Sequence, residues 1–383
     1  MARGAKAAAP SPTAGGTPPE PEYVQLLTPA GERVAQSTGA DGVTYAVDFT
    51  DEDIRGLYRD LVVVRKLDAE ATALQRQGEL GIWASLLGQE AAQVGSGHAL
   101  RPQDMVFPTY REHGVLHVRG IDPLKPLALF RGVNYGGWDP IADKFNLYTI
   151  VIGAQTLHAT GYAMGIAKDG KIGGDDGEAV VAYFGDGASA QGDVNESFVW
   201  ASVFNAPIVF FCQNNQFAIS EPTDRQTRVP LYRRAAGYGF PGVRVDGNDV
   251  LACYAVTRAA LDNARHGNGP TLIEAYTYRM GAHTTSDDPT RYRVSSEVEA
   301  WQAKDPIDRV RAYLTKQGTS ADFFDEVDAD AARQAVDLRE RLLALPDPQP
   351  TQMFDNVYPH GSAEVDAQRE GFVAYSASFE GGH

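Results

Sequence analysis

Two unbroken apolar runs with a helix-spaced segment between them mark the middle of the chain. Residues 179–184 (AVVAYF) and 207–212 (PIVFFC) are short, continuous and rich in β-branched and aromatic side chains, as in strands buried on both faces. Across residues 193–204, Val194, Phe198 and Ala201 fall in helical phase instead. Strand, helix and strand in succession predict a βαβ unit, whose right-handed crossover makes its two strands parallel. The same reading places a buried strand at 147–153 (LYTIVIG), a small-residue helix over 155–167, and further strands at 243–245 and 271–278. Thr50 reads as an N-cap with Asp53 three residues on, and Ile54, Leu57, Leu61 and Val64 then share one face until Gly78 stops the helix. A Gly-punctuated helix is expected over 88–100 and helical structure over 297–346. Such alternation predicts an α/β fold, a mostly parallel sheet with helices on both faces.

Composition divides the chain. Residues 1–45 read as a flexible Ala/Pro/Gly-rich tail and N-terminal extension; the five prolines from Pro10 to Pro21 outweigh the faint transit-peptide likeness of Arg3 and Lys6. The α/β domain is expected over 46–346, and the run Pro346-Asp-Pro-Gln-Pro350 opens a C-terminal extension over 347–383. An excess of 50 acidic over 34 basic residues repels phosphate backbones and anionic headgroups, so neither nucleic acid nor a membrane is an expected partner. Cys212 and Cys253 stand in no metal-ligand spacing and suggest no disulfide framework, which fits a reducing cytosol. No apolar run reaches the length of a spanning helix.

The chemistry gathers at the ends of the two central strands. Gly185-Asp186-Gly187 follows the first and Asn214-Asn215 the second, so both emerge at the carboxyl edge where open parallel sheets bind ligands. The glycines allow backbone N–H groups close to a phosphate, and the next helix adds its positive end. Asp186 sits inside that anion pocket, where a bare carboxylate is repulsive unless a hard cation lies between it and the phosphate; a divalent metal is therefore expected. Taken alone, Gly-Asp-Gly is a common tight turn. Gly185, Gly187 and Ala190 also match G-x-G-x-x-A, but no acidic residue follows at the distance a dinucleotide ribose requires, and no P-loop occurs.

The run Gly185-Asp-Gly-Ala-Ser-Ala-Gln-Gly192, with Glu196, Ala206-Pro207 and Gln213-Asn-Asn-Gln-Phe-Ala-Ile-Ser220, resembles the thiamine diphosphate motif of one family. This is the alpha subunit of the decarboxylating component of 2-oxo acid dehydrogenase complexes, of pyruvate or branched-chain type. The separation of 215 − 186 = 29 residues suits that family, and the likeness spans roughly residues 50–345. It implies a thiamine diphosphate-binding fold with Asp186 and Asn215 as Mg²⁺ side-chain ligands, the Phe217 carbonyl as a third, and Gly185, Gly187 and Ala188 along the diphosphate. Pro108-Thr-Tyr-Arg-Glu-His-Gly114 is similar to a family loop in which Arg111 grips the diphosphate and Tyr110 lines the pocket; without the resemblance, Arg111 reads as a surface ion pair. Ile150 and Ile152 match the segment that holds the aminopyrimidine, with a buried Ile152 wedged under the cofactor or, more plainly, in the core. The polar stretch 279–293 (RMGAHTTSDDPTRYR) suits an active-site lid, and the resemblance gives its His283 contact with the diphosphate and a catalytic part in acyl transfer.

Further expectations follow from the same resemblance. A beta subunit completes the site in an α2β2 heterotetramer, the lipoyl arm of an acyltransferase component receives the acyl group, and a 2-oxo acid is the substrate, in a bacterial cytoplasm. Asp193 and Glu196 match a proton relay between paired sites, or simply form a capping box at a helix start. Ile82 and Trp83 occupy the region of the substrate pocket, or belong to the core. Thr284 stands where animal relatives carry a phosphorylated serine. The sequence leaves pyruvate, a branched-chain acid such as 2-oxoisovalerate, and acetoin open as substrates. A non-catalytic scaffold and a nicotinamide-dependent dehydrogenase are the alternatives of other classes.

Overall fold

The computed structural model describes residues 23–133, 137–174 and 176–379; the tail over 1–22 lies outside them. Helix α1 (Asp51–Arg76) begins in a capping box: Thr50 Oγ1 accepts from the Asp53 amide at 3.2 Å, and the Asp53 carboxylate accepts from the Thr50 amide at 2.8 Å. Its Ile54, Leu57, Leu61 and Val64 are buried, as their spacing requires. Next come α2 (Glu90–His98), β1 (Met105–Phe107), α3 (His113–Val118), α4 (Ala154–Lys168), β2 (Val180–Gly185), α5 (Gly192–Val203) and β3 (Ile208–Asn214). The domain continues through β4 (Gly242–Asp246), α6 (Val250–Arg265) and β5 (Thr271–Tyr276), then α7 (Ser295–Gln302), α8 (Pro306–Lys316), α9 (Ala321–Leu343) and the terminal α10 (Ala363–Ala377).

Five strands form one parallel sheet in the order β1-β2-β3-β5-β4. The pleat sends alternate residues to opposite faces, and both faces are apolar. Val181, Tyr183, Val209, Phe211 and Ile273 join the core formed with α1, α2 and α6, while Val180, Ala182, Phe184, Ile208 and Phe210 join the core formed with α4 and α5. This double burial explains why the central strands read as continuous apolar runs.

Several expectations are corrected. Residues 147–153 are not a buried strand: Ile150, Val151 and Ile152 are 62%, 71% and 43% exposed. Met105–Phe107 occupies the ladder position beside β2, and the incoming chain bridges that edge at Phe145, opposite Val106. Helical structure over 297–346 is three helices, broken at Asp305-Pro306 and at Gly318, whose φ is +84°. The segment 23–45, read as part of the flexible extension, is packed: Val24 bridges Val245, and Asp249 Oδ2 accepts from the Leu26 and Leu27 amides, each at 2.6 Å. In the C-terminal extension, Phe354 packs on Phe372 of α10 at 5.6 Å.

Candidate active site

The carboxyl ends of β2 and β3 stand side by side, with Gly185 in register opposite Gln213. A 3-10 turn over Asp186–Ala190 leads from β2 to α5, and the chain leaving β3 turns back through Gln216, at φ +71°. Between these two exits lies a cavity of about 270 Å³, lined by Tyr110, Arg111, Ile152, Gly185, Asp186, Gly187, Ala188, Asn215, Phe217, Arg279 and His283. The two exits are packed tightly: a Cβ on Gly187 would stand 2.7 Å from the Ala218 Cβ.

Asp186 is 1% exposed, and burial pushes its carboxyl up to about 6 despite a hydrogen bond from Gln226 Nε2 to Oδ2 at 2.9 Å. Its other oxygen faces Asn215. The Asn215 carboxamide reaches Asp186 Oδ1 at 3.3 Å and the Phe217 carbonyl at 3.1 Å, two acceptors that call for its nitrogen on that side. So turned, the nitrogen donates to both in the cofactor-free protein. With the amide oxygen inward instead, the three groups form a hard-cation corner. Gln89 beside them leaves its buried Nε2 without a partner. Among the described residues no three His, Cys, Asp or Glu side chains cluster at metal-binding distance. A cation there would find one carboxylate and two neutral oxygens from the chain, too few to fill its shell.

The opposite wall is cationic. Arg111 is buried, and its hydrogen bonds end on the Ser85 carbonyl, the His283 carbonyl at 2.8 Å and His283 Nδ1 at 3.4 Å, so the surface ion-pair reading fails. Arg279, fully buried, donates to the Phe217 carbonyl at 2.9 Å and reaches His283 Nδ1 at 3.3 Å. Nδ1 thus faces two guanidiniums and must accept, which leaves the imidazole hydrogen on Nε2. Burial, then Arg111 and Arg279, push His283 down to about 3. The backbone amide of His283 donates to Asp287 at 2.8 Å, and the Tyr110 ring meets the imidazole edge-on at 6.3 Å.

Not every sequence candidate reaches the cleft. Ile152 is on its rim, 43% exposed rather than buried, and Ile150 points to the surface outside the lining. Ile82 is 39% exposed and also outside it. Trp83 is core: its indole donates to Asp68 at 2.8 Å and stacks on His113 at 4.1 Å. Asp193 is half-buried and Glu196 exposed at the start of α5, but no capping box forms, because Gln191 is the N-cap and makes no side-chain cap bond. Sequence reasoning missed Arg279, Gln89 and Gln226. Arg279 opens the lid stretch that the sequence marks, whereas Gln226 ends a one-turn helix, Thr223–Gln226, too short to show a periodicity.

The carboxyl ends of the parallel sheet thus bring a buried carboxylate and a carboxamide opposite two buried arginines and a neutral histidine. The family model described as dehydrogenase E1 component matches residues 58–337, and the chain belongs to that family. It is 46% identical over 351 residues to the 3-methyl-2-oxobutanoate dehydrogenase subunit alpha of Mycobacterium tuberculosis, covering 91% of this chain and 93% of the relative. It is 41% identical over 300 residues to the pyruvate dehydrogenase E1 component subunit alpha of Staphylococcus aureus, covering 78% of each chain. The same figures hold for the subunit of that name from Staphylococcus epidermidis.

Proposed function

We propose that the chain is the alpha subunit of a 2-oxo acid dehydrogenase that binds thiamine diphosphate and Mg²⁺, and that its substrates are branched-chain 2-oxo acids. The meeting of the Asp186 carboxylate, the Asn215 carboxamide and the Phe217 carbonyl opposite Arg111 carries the cofactor reading: with the Asn215 oxygen turned inward these three hold the metal, and Arg111 takes the diphosphate. Bound thiamine diphosphate supplies the electron sink that decarboxylation of a 2-oxo acid requires. The protein orients it, excludes water with the 279–293 lid, and presents His283 as a neutral imidazole to the acyl acceptor, a lipoyl arm. The greater identity and coverage with the 3-methyl-2-oxobutanoate enzyme support the branched-chain assignment over pyruvate. The relatives' names do not favour an acetoin-cleaving enzyme.

A beta subunit completes the site in an α2β2 assembly. Two apolar patches flank α5 and suit such a partner: Ile150, Val151 and Ile152 near its start, and Trp200, Val203 and Phe204 at its end. Among the described residues no helix is long and apolar enough to cross a membrane, and we place the complex in the bacterial cytoplasm. Asp193 and Glu196 remain candidates for a relay between paired sites.

The deciding experiment co-expresses the chain with its beta subunit and titrates thiamine diphosphate with and without Mg²⁺. Binding that needs the metal and disappears in Asp186→Ala, with the pair still assembled, supports the reading. An assembled wild-type pair that takes up none would make the chain a non-catalytic scaffold. Turnover of 2-oxoisovalerate against pyruvate then decides the substrate.

A further inference from the structure

Asp68 is a buried carboxylate that pairs with no cation among the described residues. It lies on the inner face of α1, 5% exposed, and accepts three hydrogen bonds from one short strap of chain. Trp83 Nε1 at 2.8 Å and the Leu86 amide at 3.2 Å bind Oδ1, and Ser85 Oγ at 2.6 Å binds Oδ2. The titratable groups on the neighbouring elements do not compensate it. Glu90 of α2 is an anion and is claimed by Arg65 of α1 at 2.8 Å. His113 of α3, stacked over Trp83, is held neutral by burial at about 3, and His117 is bonded to Asp60 at 3.2 Å. Burial, with Glu90 adding to it, holds the Asp68 carboxyl up at about 6. An uncompensated buried anion opposes folding, so stability alone does not account for an aspartate here.

The strap itself supplies the reason. The Ser85 carbonyl accepts from Arg111 Nη1. Trp83 exchanges two bonds with Thr285, just past His283: its amide donates to Thr285 Oγ1 at 3.1 Å, and its carbonyl accepts from the Thr285 amide at 2.9 Å. Residues 83–86 therefore touch Arg111 on one side and the His283 loop on the other, and Asp68 holds three of their four residues. We propose that Asp68 is a positioning residue for the cofactor site: by fixing the strap it sets Arg111 and the His283 loop in register before the cofactor binds. The proposal rests on the function assigned above for what is bound, but not for the loop order it predicts.

The test uses Asp68→Asn in the full chain assembled with its beta subunit. Asparagine keeps the shape and keeps Oδ1 for Trp83 and Leu86, while removing the charge that anchors Ser85. Three readouts are taken at neutral pH: the thermal midpoint, hydrogen exchange of residues 279–293 without cofactor, and thiamine diphosphate affinity. The midpoint is expected to hold or rise. Loop exchange quickens and affinity falls, each by roughly three- to tenfold, the scale of exchanging a hydrogen bond to a charged group for a neutral one from the new amide to Ser85. Ser85→Ala moves the same two readouts in the same direction, and it decides the matter should Asp68→Asn fail to fold. A lowered midpoint with loop exchange and affinity unchanged would reduce Asp68 to packing and overturn the proposal, as would no change in any readout. Wild-type protein that takes up no thiamine diphosphate would instead sink the functional assignment, and loop exchange would still judge Asp68.

Discussion

Arg111 donates from Nη2 to the backbone carbonyl of His283 at 2.8 Å, across the mouth of the cleft. One guanidinium thereby closes the loop before α3 onto the loop after β5, while its other arm holds Ser85. A buried guanidinium bonded to carbonyls and no carboxylate keeps its full charge for an incoming anion. The cleft is thus charged in its cofactor-free state, and Arg111 is mechanically joined to His283.

Replacing Arg111 with lysine keeps the charge and loses the fork. An ammonium cannot hold the Ser85 and His283 carbonyls and still offer a planar pair of donors to phosphate. Arg111→Lys is expected to weaken thiamine diphosphate binding by about 10- to 100-fold, with little change in the thermal midpoint. Calorimetric titration of the assembled pair checks it. Undiminished affinity would mean that a point charge suffices.

Burial and two guanidiniums hold His283 in its neutral form around neutral pH. Its folded value of about 3 lies below the usual imidazole value, because burial and two guanidiniums oppose a further positive charge. The sign follows: the unfolded chain binds the extra proton, so this group makes the fold less stable as pH falls through about 6.5, and continues to do so down to the folded value. Imidazole NMR signals of His283 in the cofactor-free chain should therefore hold their neutral positions from about pH 8 to about pH 5. A midpoint near the ordinary histidine value would show that the arginines do not reach it.

Gly187 and Gly185 offer a matched pair. A Cβ at Gly187 would lie 2.7 Å from the Ala218 Cβ, whereas one at Gly185 meets nothing within 4 Å. Gly187→Ala must push the two strand exits apart, and with them Asp186 and Asn215. It should cost about 1–3 kcal/mol in stability and abolish metal-dependent cofactor binding. Gly185→Ala should leave the cofactor-free fold unchanged. Thermal melts of both variants, followed by titration with Mg²⁺ and thiamine diphosphate, compare them; equal effects would remove close packing as the cause.

The sequence carried the central layers of this fold because double burial writes itself as unbroken apolar runs. It misplaced residues 147–153 for the same reason: Ile150 and Val151 are apolar yet exposed, and periodicity cannot tell core from a surface that suits a partner. The three-residue β1 was too short to stand out. At the site, Asp186 and Asn215 could be placed together from strand ends alone. Arg279, which enters from a loop, and Gln226, which reaches Asp186 from a one-turn helix, could not, since the course of each segment depends on tertiary contacts. Trp83 shows the opposite error, a residue next to the site in sequence whose ring turns away to Asp68.

The last prediction concerns the end of α5, where Val203 is 73% exposed between Trp200 and Phe204, whose rings stack at 5.3 Å. Three large apolar side chains on one turn gain nothing from the chain's own core, so covering them is a gain for association alone. Val203→Asp places a charge in the middle of that patch. The isolated chain should melt as the wild type does, because the position is open to solvent. Co-assembly with the beta subunit should fail, since the new carboxylate would have to be buried without a partner. Size-exclusion chromatography with mass measurement on the co-expressed pair reads the outcome directly. A variant that still forms the wild-type assembly would show that this surface faces water in the complex, and the partner would then have to be sought at residues 150–152.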